Sequence, residues 1–287
     1  MPNGLSLLDL GDISKPADTL IHKISDVVGG LFRPFQIKRI AKAESEAALI
    51  QAESQIEITD LHRRAFARWL TEESQKQDNM ENITIKAIPL VKDDSKPQNI
   101  DNDWIVNFFN NARLISNEQM QLLWSRILAG EANSPGSFTK RTVNLLSSFD
   151  KKDAELFESF CAFVWYAESP CPLIFDYTNQ IYTSKYINFD NLAHLGDIGF
   201  IDFNDLGTYQ ITNLKQDLTF NYRGKPAKLH LPALENNILP IGKAIFTNAG
   251  KELSRICTPI EVPGFYEYVL ETWKNSGITI VIEPSEV

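Results

Sequence analysis

The first apolar pattern in the chain has helical spacing. Apolar residues between Ser14 and Gly29 recur three and four positions apart, namely Ala17, Leu20, Ile21, Ile24, Val27 and Val28. This spacing places them on one face of an α-helix. Ser14 is a candidate N-cap, and Pro16 falls in the first turn, where a missing N–H costs little. We predict a short amphipathic helix that Gly29 and Gly30 end.

A long stretch without Pro or Gly follows, from about Gln36 to Gln77. Its residues mostly favour helix, and a single helix of this length would reach about 60 Å. The apolar stripe is thin at first and thicker later, so the helix cannot bury much alone and is expected to pack on a partner helix or a second copy. The self-association candidates are Ile37, Ile40, Ile58, Leu61 and Trp69.

Helical spacing returns after a polar segment. Residues 89–103 contain two prolines and predict a linker or long loop. Residues 101–167 then predict a bundle of four helices, the first capped by Asp101 or Asn102. Ser116 with Gln119 fits a capping box, and Asp150 is expected to cap the fourth helix. Residues 134–137 predict a turn that Glu131 and nearby basic residues span with ion pairs.

Strand-like patterns dominate the remainder. Residues 173–178 and 180–187 predict two strands around Asn179, and residues 218–222 and 227–231 predict a hairpin with a longer loop. Residues 246–253 (FTNAGKEL) predict a step from strand to helix, and Gly277 is expected to close a later helix. The predicted fold class is α+β, with a long N-terminal helix and helical bundle followed by a winged-helix-like α+β module. The predicted domains are 1–88, 101–167 and 173–287.

Composition and charge narrow the function classes. The chain has 28 Lys and Arg against 37 Asp and Glu, a net charge of −9, and 43% of its residues are hydrophobic. This composition predicts a globular protein. The net negative charge argues against general nucleic-acid binding, which needs a basic surface to contact phosphate. Three cysteines cannot all pair, which favours a reducing compartment. We expect a cytoplasmic protein with peripheral contact at the inner membrane.

Catalytic and metal-binding patterns are missing from the sequence. The four histidines (His22, His62, His194 and His230) are far apart, and none belongs to a paired-ligand motif. Neither a nucleophile elbow nor a phosphate-binding glycine loop occurs. The sequence therefore predicts no catalytic site, no cofactor and no metal, although an enzyme with scattered site residues stays the third alternative.

One basic and apolar segment predicts membrane contact. Residues 31–42 hold no acid, and bulky apolar residues alternate there with Arg and Lys. Rings that enter the headgroup boundary beside cations that meet anionic lipid are typical of interfacial segments. The alternative is that the apolar residues pack on the bundle. The membrane-contact candidates are Leu31, Phe32, Arg33, Phe35, Lys38 and Arg39.

The predicted hairpin suggests a second kind of partner. Arg223, Lys225 and Lys228 lie at or near its tip, where they would contact phosphate as a wing does. The best candidate recognition helix, residues 190–197, is short and acidic and would repel phosphate. Nucleic acid is therefore not expected as a partner, but a nucleic-acid-binding regulator stays the alternative function.

Three segments resemble a known family. Residues 14–21 (SKPADTLI), 35–44 (FQIKRIAKAE) and 127–138 (ILAGEANSPGSF) are similar to the bacterial domain-of-unknown-function family 2806. Residues 124–131 (WSRILAGE) and 246–253 also resemble the abortive-infection alpha proteins distantly. The second resemblance implies a role in bacterial defence against phage, with a phage component as a partner. Together these observations predict a non-enzymatic, self-associating interaction protein that forms homo-oligomers and contacts an anionic membrane surface.

Overall fold

The chain divides into two compact units. The computed structural model describes residues 13–29 and 59–281. Contacts cluster into an N-terminal unit, Met1–Ser147, and a C-terminal unit, Ser148–Val287. The predicted bundle of residues 101–167 is thus shared between the two units, with its fourth helix in the second.

The described part of the N-terminal unit is helical. Its α-helices are α1 (Lys15–Val28), α2 (Asp60–Ala87), α3 (Asn102–Ala112), α4 (Glu118–Asn133) and α5 (Lys140–Leu146). Two short 3-10 helices, Ile88–Leu90 and Pro97–Asn99, lie between α2 and α3. Helix α1 packs on α3 and on the second 3-10 helix, and α2 packs on α4.

Side-chain caps fix where these helices begin. The Ser14 hydroxyl accepts the Ala17 N–H at 3.4 Å, and the Asp101 carboxylate accepts the Trp104 N–H at 2.8 Å, as the sequence predicts. The capping box predicted at Ser116 is wrong by one residue, because Asn117 caps α4 by accepting the Met120 N–H at 3.1 Å. Both residue types are good caps, so propensity alone does not separate them.

The long helix differs from its prediction at both ends. Thr59 is extended (φ −63°, ψ 155°) and caps α2, so one continuous helix from Gln36 to Gln77 is wrong. Helix α2 instead begins at Asp60 and continues to Ala87, ten residues past the predicted end. Its last residues are buried in the N-terminal unit. The sequence after Gln77 is polar and gives only a weak signal for helix. Packing within the N-terminal unit therefore stabilises this part of α2.

The predicted linker at 89–103 is an ordered loop of the N-terminal unit. Asn133 holds it from the end of α4, donating to the Leu90 carbonyl at 3.0 Å and accepting from the Lys92 N–H at 2.9 Å. Pro97 and Ile100 are buried. The sequence of this polar segment does not predict these contacts, because they depend on Asn133, which lies about 40 residues farther along the chain.

Helices and antiparallel sheets make up the C-terminal unit. Its described helices are α6 (Lys151–Cys161), α7 (Gln180–Thr183), α8 (Phe189–Asp197), α9 (Asn248–Ser254) and α10 (Phe265–Asn275). Its described strands are β1 (Val164–Tyr166), β2 (Pro170–Pro172), β3 (Ile201–Phe203), β4 (Tyr209–Leu214), β5 (Asp217–Tyr222), β6 (Lys225–His230), β7 (Asn237–Gly242), β8 (Ala244–Phe246) and β9 (Thr279–Val281). One sheet has the order β2-β1-β5-β6-β9, and β3-β8 and β4-β7 form two-stranded sheets.

Three local predictions for this unit are wrong. Residues 180–187 form no strand, because Asn179 caps the short helix α7, and of residues 173–178 only Ile174 makes a bridge, to Gly242. The hairpin has a two-residue turn rather than a longer loop. Arg223 (φ 53°) and Gly224 (φ 85°) both occupy the left-handed region, which such tight hairpin turns require.

An aromatic core joins the five-stranded sheet to α10. Trp165 of β1 stacks on Tyr222 of β5, with ring centroids 5.4 Å apart, and meets Trp273 of α10 edge-on at 5.5 Å. The mixture of helices with antiparallel sheets confirms the α+β class. The hairpin that was expected as a wing lies inside the five-stranded sheet, since β5 and β6 each have a neighbour on their other side.

Candidate functional site

The first half of α2 carries an exposed apolar surface. Every residue from Asp60 to Trp69 is exposed. The large apolar side chains among them are Leu61 (64% exposed), Phe66 (42%) and Trp69 (54%), and the Phe66 and Trp69 rings lie 5.6 Å apart. Together with Ala65 these residues form what we call the α2 stripe. Such a cluster on one helix face is typical of a surface that packs against a partner.

The α2 stripe continues a face that is buried farther along the same helix. Leu61, Ala65 and Trp69 are four residues apart, and the same face passes through Lys76 to Asn79, Ile83 and Ala87. Asn79, Ile83 and Ala87 are buried in the N-terminal unit. One helix face is thus covered in its second half and exposed in its first half.

Polar contacts fix the second half of α2 in place. The Asn79 side chain donates to the Arg113 carbonyl at 2.9 Å and accepts from Gln75 at 3.1 Å. Lys86 donates to the Gln121 side chain of α4 at 2.7 Å. Because Arg113 follows α3 and Gln121 lies in α4, these contacts fix the direction of α2 relative to both helices.

Charge is unevenly distributed along α2. The basic residues Arg63, Arg64 and Arg68 come first, and the acidic residues Glu72, Glu73, Asp78 and Glu81 follow. Some pair within the helix, as Arg68 does with Glu72 at 3.3 Å. The part of α2 that holds the stripe, from Leu61 to Trp69, is thus mainly basic, and the part that follows is mainly acidic.

The structure places only some of the predicted interaction residues. Leu61 and Trp69 lie in the α2 stripe, whereas Ile37, Ile40 and Ile58 fall outside the described residues. All membrane-contact candidates (Leu31, Phe32, Arg33, Phe35, Lys38 and Arg39) fall outside them as well. In the described ranges, every helix is too short or too polar to cross a membrane. Ala65 and Phe66 complete the stripe.

The nucleic-acid candidates are engaged within the C-terminal unit. The Arg223 side chain donates to the Cys161 carbonyl at 3.2 Å, and the Lys225 ammonium pairs with Glu261 at 2.6 Å. Lys228 also has an interaction in the structure. Residues that already bind within the fold are less available to phosphate, so the nucleic-acid alternative stays a prediction without added support.

A cleft of about 750 Å³ opens in the C-terminal unit. Its lining includes the buried residues Cys171, Phe220 and Phe246. Lys215, Lys251, Glu168 and Asp217 are its exposed charged residues, and their signs balance. Among residues 13–29 and 59–281, no group of three or more His, Cys, Asp or Glu side chains is arranged to hold a metal ion. The formal charges alone thus favour no particular ligand charge.

Comparison with known proteins identifies a family rather than an activity. No curated protein and no solved structure matches the chain. A family model described as a protein of unknown function, DUF2806, matches residues 63–270, which include most of α2 and nearly all of the C-terminal unit that the structure describes. This match covers well over half of the sequence, so the chain belongs to the DUF2806 family.

Proposed function

We propose that this protein is a non-enzymatic assembly protein whose copies pair through the α2 stripe. The observation that carries the proposal is the exposure of Leu61, Phe66 and Trp69 on a helix face whose continuation is buried. When a partner covers the exposed apolar face of a helix, the free energy falls, because apolar surface is removed from water.

Charge favours a second copy of the chain in antiparallel orientation. When two α2 helices run in opposite directions, the basic stretch from Arg63 to Arg68 of one lies beside the acidic stretch from Glu72 to Glu81 of the other. The stripe of each copy then lies beside the turns that follow Trp69 in the other copy, and the two Trp69 residues lie about one turn apart. A parallel pair in register would place like charges together, which costs free energy and suppresses that arrangement.

The size of the surface predicts a reversible pair. Full burial of a Leu, Phe or Trp side chain contributes about 1.5–3 kcal/mol, and these side chains are already partly covered in one copy. Association itself costs about 4–15 kcal/mol in lost motional freedom. The balance is small, so we expect dimers whose population rises with protein concentration.

A matched pair of substitutions tests the proposal. Ala65 and Ala67 are both exposed and only two residues apart, but Ala65 lies on the stripe and Ala67 lies on the opposite face. We expect wild type to reach twice the 32.5 kDa protomer mass in light scattering. Ala65→Glu is expected to weaken the dimer at least tenfold, because it places a charge at the contact. Ala67→Glu should leave the dissociation constant within about twofold.

Two other outcomes would contradict a pair of copies. If residues 30–58 of the same chain cover the stripe, wild type stays a monomer at all concentrations and Ala65→Glu lowers its thermal stability instead. If both glutamate variants weaken assembly equally, the contact lies elsewhere and the stripe is not the interface.

Defence against phage is the proposed setting of this assembly. Support comes from the resemblance of residues 124–131 and 246–253 to abortive-infection alpha proteins, with a phage component as the trigger. Plaque assays over a broad phage panel test it, with Ala65→Glu and Ala67→Glu as the matched pair. We expect protection from wild type and Ala67→Glu alone. Equal plating with and without the wild-type protein would overturn the role.

Membrane contact is a separate part of the proposal and rests on the sequence of residues 31–42. Anionic liposomes should pellet wild type and leave Phe32→Asp/Phe35→Asp in the supernatant. Neutral liposomes are the control, because they lack the charge that Arg33, Lys38 and Arg39 would meet. Equal pelleting of the two proteins would contradict membrane contact without affecting the dimer.

A further inference from the structure

Strand β5 has a free edge on the side of β1. The two strands pair only at Tyr166 and Asn221, because the chain turns at residues 167–169 and returns as β2. Within the described ranges, no strand pairs with residues 217–220 on that side. An unpaired strand edge presents backbone N–H and C=O groups to any segment that can form a strand beside it.

The free edge carries the backbone groups of Asp217 and Thr219. Residues along an antiparallel strand direct their N–H and C=O alternately to one side and to the other. The Gln216 carbonyl accepts the Leu231 N–H at 2.7 Å, which shows that Gln216 faces the β6 side. Asp217 and Thr219 therefore face the side of β1, where neither forms a backbone hydrogen bond with another described residue. Both residues thus have a free donor and a free acceptor there.

The cleft of the C-terminal unit lies along this edge. Residues 217–220 of β5 and residues 167–169 of the turn all line it, and further apolar lining comes from β2, β4, β7 and β8. Its volume of about 750 Å³ falls within the range of about 300–1,000 Å³ that is usual for ligand pockets. A segment that paired with β5 would place alternate side chains on the face of Leu218 and Phe220, which is the more buried face of the strand. That position favours an apolar side chain.

The charged groups of the cleft are not equally available to a ligand. The Asp217 carboxylate is already paired with the His230 ring at 2.8 Å. Lys215, Lys251 and Glu168 also line the cleft, are exposed, and form no ion pair with another described residue. The two free ammonium groups therefore outnumber the single free carboxylate. Complementary charge favours an acidic occupant.

We propose that the cleft binds an extended acidic peptide segment of a partner protein, which pairs as a strand with the free edge of β5. Its backbone exchanges hydrogen bonds with Asp217 and Thr219, and an apolar side chain between these pairs enters the cleft beside Phe220. Its acidic side chains meet Lys215 and Lys251. Backbone pairing of this kind supplies affinity, and the pockets for alternate side chains supply specificity. The site lies in the C-terminal unit and is independent of the α2 stripe.

Calorimetric titration of the full chain with synthetic peptides tests the proposal. The probes are seven-residue peptides with Glu at both ends and, between them, Thr alternating with Val, Leu or Phe. A matched set carries Lys at both ends. We expect micromolar binding of at least one Glu-ended peptide and at least tenfold weaker binding of its Lys-ended counterpart. N-methylation of the central residues of the bound peptide removes backbone donors but keeps the side chains, and should abolish binding.

A matched pair of substitutions tests the role of the β5 backbone. Thr219→Pro removes the N–H that faces the cleft and keeps the pairing with β6, because proline is tolerated where a strand N–H is free. It should weaken peptide binding at least tenfold. Thr219→Val keeps the N–H and should bind within twofold of wild type. Thermal unfolding checks that both variants fold, and the N-methylated peptide gives the same test on wild type if Thr219→Pro does not.

Substitution of the charged residues tests the choice of an acidic occupant. Lys215→Gln/Lys251→Gln should remove the preference for Glu-ended peptides, whereas Glu168→Gln should keep it. The proposal is overturned if no peptide of either set binds wild type, or if the Lys-ended set binds more tightly. Equal binding of the N-methylated and unmodified peptides would also overturn it, because the contact would then not depend on backbone pairing.

Discussion

The carboxylate of Glu131 accepts a hydrogen bond from the backbone N–H of Phe138 at 2.9 Å. Its other oxygen accepts the Gly136 N–H at 2.6 Å, so one buried side chain at the end of α4 binds the backbone in and just after the following turn. The Phe138 carbonyl in turn accepts from the Trp104 indole at 2.7 Å. Residues 127–138, which carry the resemblance to the family, therefore have a structural role.

Replacement of Glu131 is expected to destabilise the N-terminal unit. Glu131→Gln keeps one acceptor oxygen and should lower the free energy of unfolding by about 1–3 kcal/mol, because the charged hydrogen bonds are lost. Glu131→Ala leaves two N–H groups unpaired and should cost about 3 kcal/mol or more. Urea denaturation measures both. Glu118→Gln at the exposed start of the same helix is the control and should stay within about 1 kcal/mol of wild type.

Gly250 of α9 lies against the backbone of the residue before β3. A Cβ built on Gly250 would be 1.9 Å from the Phe200 carbonyl oxygen, and real Cβ atoms do not approach so closely. Gly250→Ala must displace the main chain and is expected to cost about 3 kcal/mol or more in unfolding free energy. Gly196→Ala in α8 is the matched control, because its Cβ would meet nothing closer than 3.8 Å.

The two glycine variants should change stability in opposite directions. Gly196→Ala is expected to be neutral or stabilising by up to about 1 kcal/mol, since alanine restricts the unfolded chain and favours helix. Thermal unfolding of both variants in parallel measures the contrast. A Gly250→Ala protein as stable as wild type would show that α9 can move away from Phe200.

Local chemistry explains which parts of the fold the sequence predicts. Ser14, Asp101 and Asp150 were predicted as caps and act as caps, because an N-cap contacts backbone only two or three residues away. Gly277 closes α10 in the left-handed region, as predicted. Such features depend on neighbours in the sequence and are visible without a fold.

Features that depend on distant residues were missed. Residues 180–187 are rich in Ile and Tyr and resemble a strand, but the Tyr182 hydroxyl donates to the Leu173 carbonyl at 2.8 Å and α7 forms instead. The apolar spacing of the α2 stripe is predictable from the sequence. Its exposure is not, because it depends on how far along α2 the other helices of the N-terminal unit pack.

Charge reversal tests the antiparallel arrangement of α2. Arg63→Glu/Arg64→Glu/Arg68→Glu makes the exposed half acidic throughout, and Glu72→Lys/Glu73→Lys makes it largely basic. Each variant alone should dimerise at least tenfold more weakly than wild type, because like charges then face each other. An equimolar mixture should recover a dimer of one copy of each, which native mass spectrometry resolves.

Salt provides the control for this mixing experiment. The recovery should shrink in about 1 M salt, where charges separated by more than about 3 Å are screened. Circular dichroism of each variant checks that α2 stays helical, since the pairs of Arg68 with Glu72 and of Lys76 with Glu73 are also altered. Variants that dimerise alone as well as wild type would contradict the proposed orientation.

Alkaline pH should destabilise the C-terminal unit through Cys171. Burial raises the pKa of the Cys171 thiol to about 12 in the folded protein, whereas an unfolded cysteine has a pKa of about 8.5. Above about pH 8.5 the unfolded chain loses this proton and the folded chain keeps it, so rising pH favours unfolding. The contribution of Cys171 to the free energy of unfolding is fully present below about pH 8.5 and is lost by about pH 12. Between these values the free energy of unfolding falls by up to about 1.4 kcal/mol per pH unit, which corresponds to about one proton.

Cys171→Ala isolates this effect from that of the buried tyrosines. Burial also raises the pKa of Tyr182 well above its ordinary value, so stability should fall with alkaline pH in both proteins. Urea denaturation under reducing conditions at pH 7, 9 and 10.5 should give a shallower decline for Cys171→Ala than for wild type. Lost packing in the variant lowers stability equally at every pH and leaves the slope unchanged. Parallel curves for the two proteins would show that Cys171 ionises in the folded state as readily as in the unfolded one.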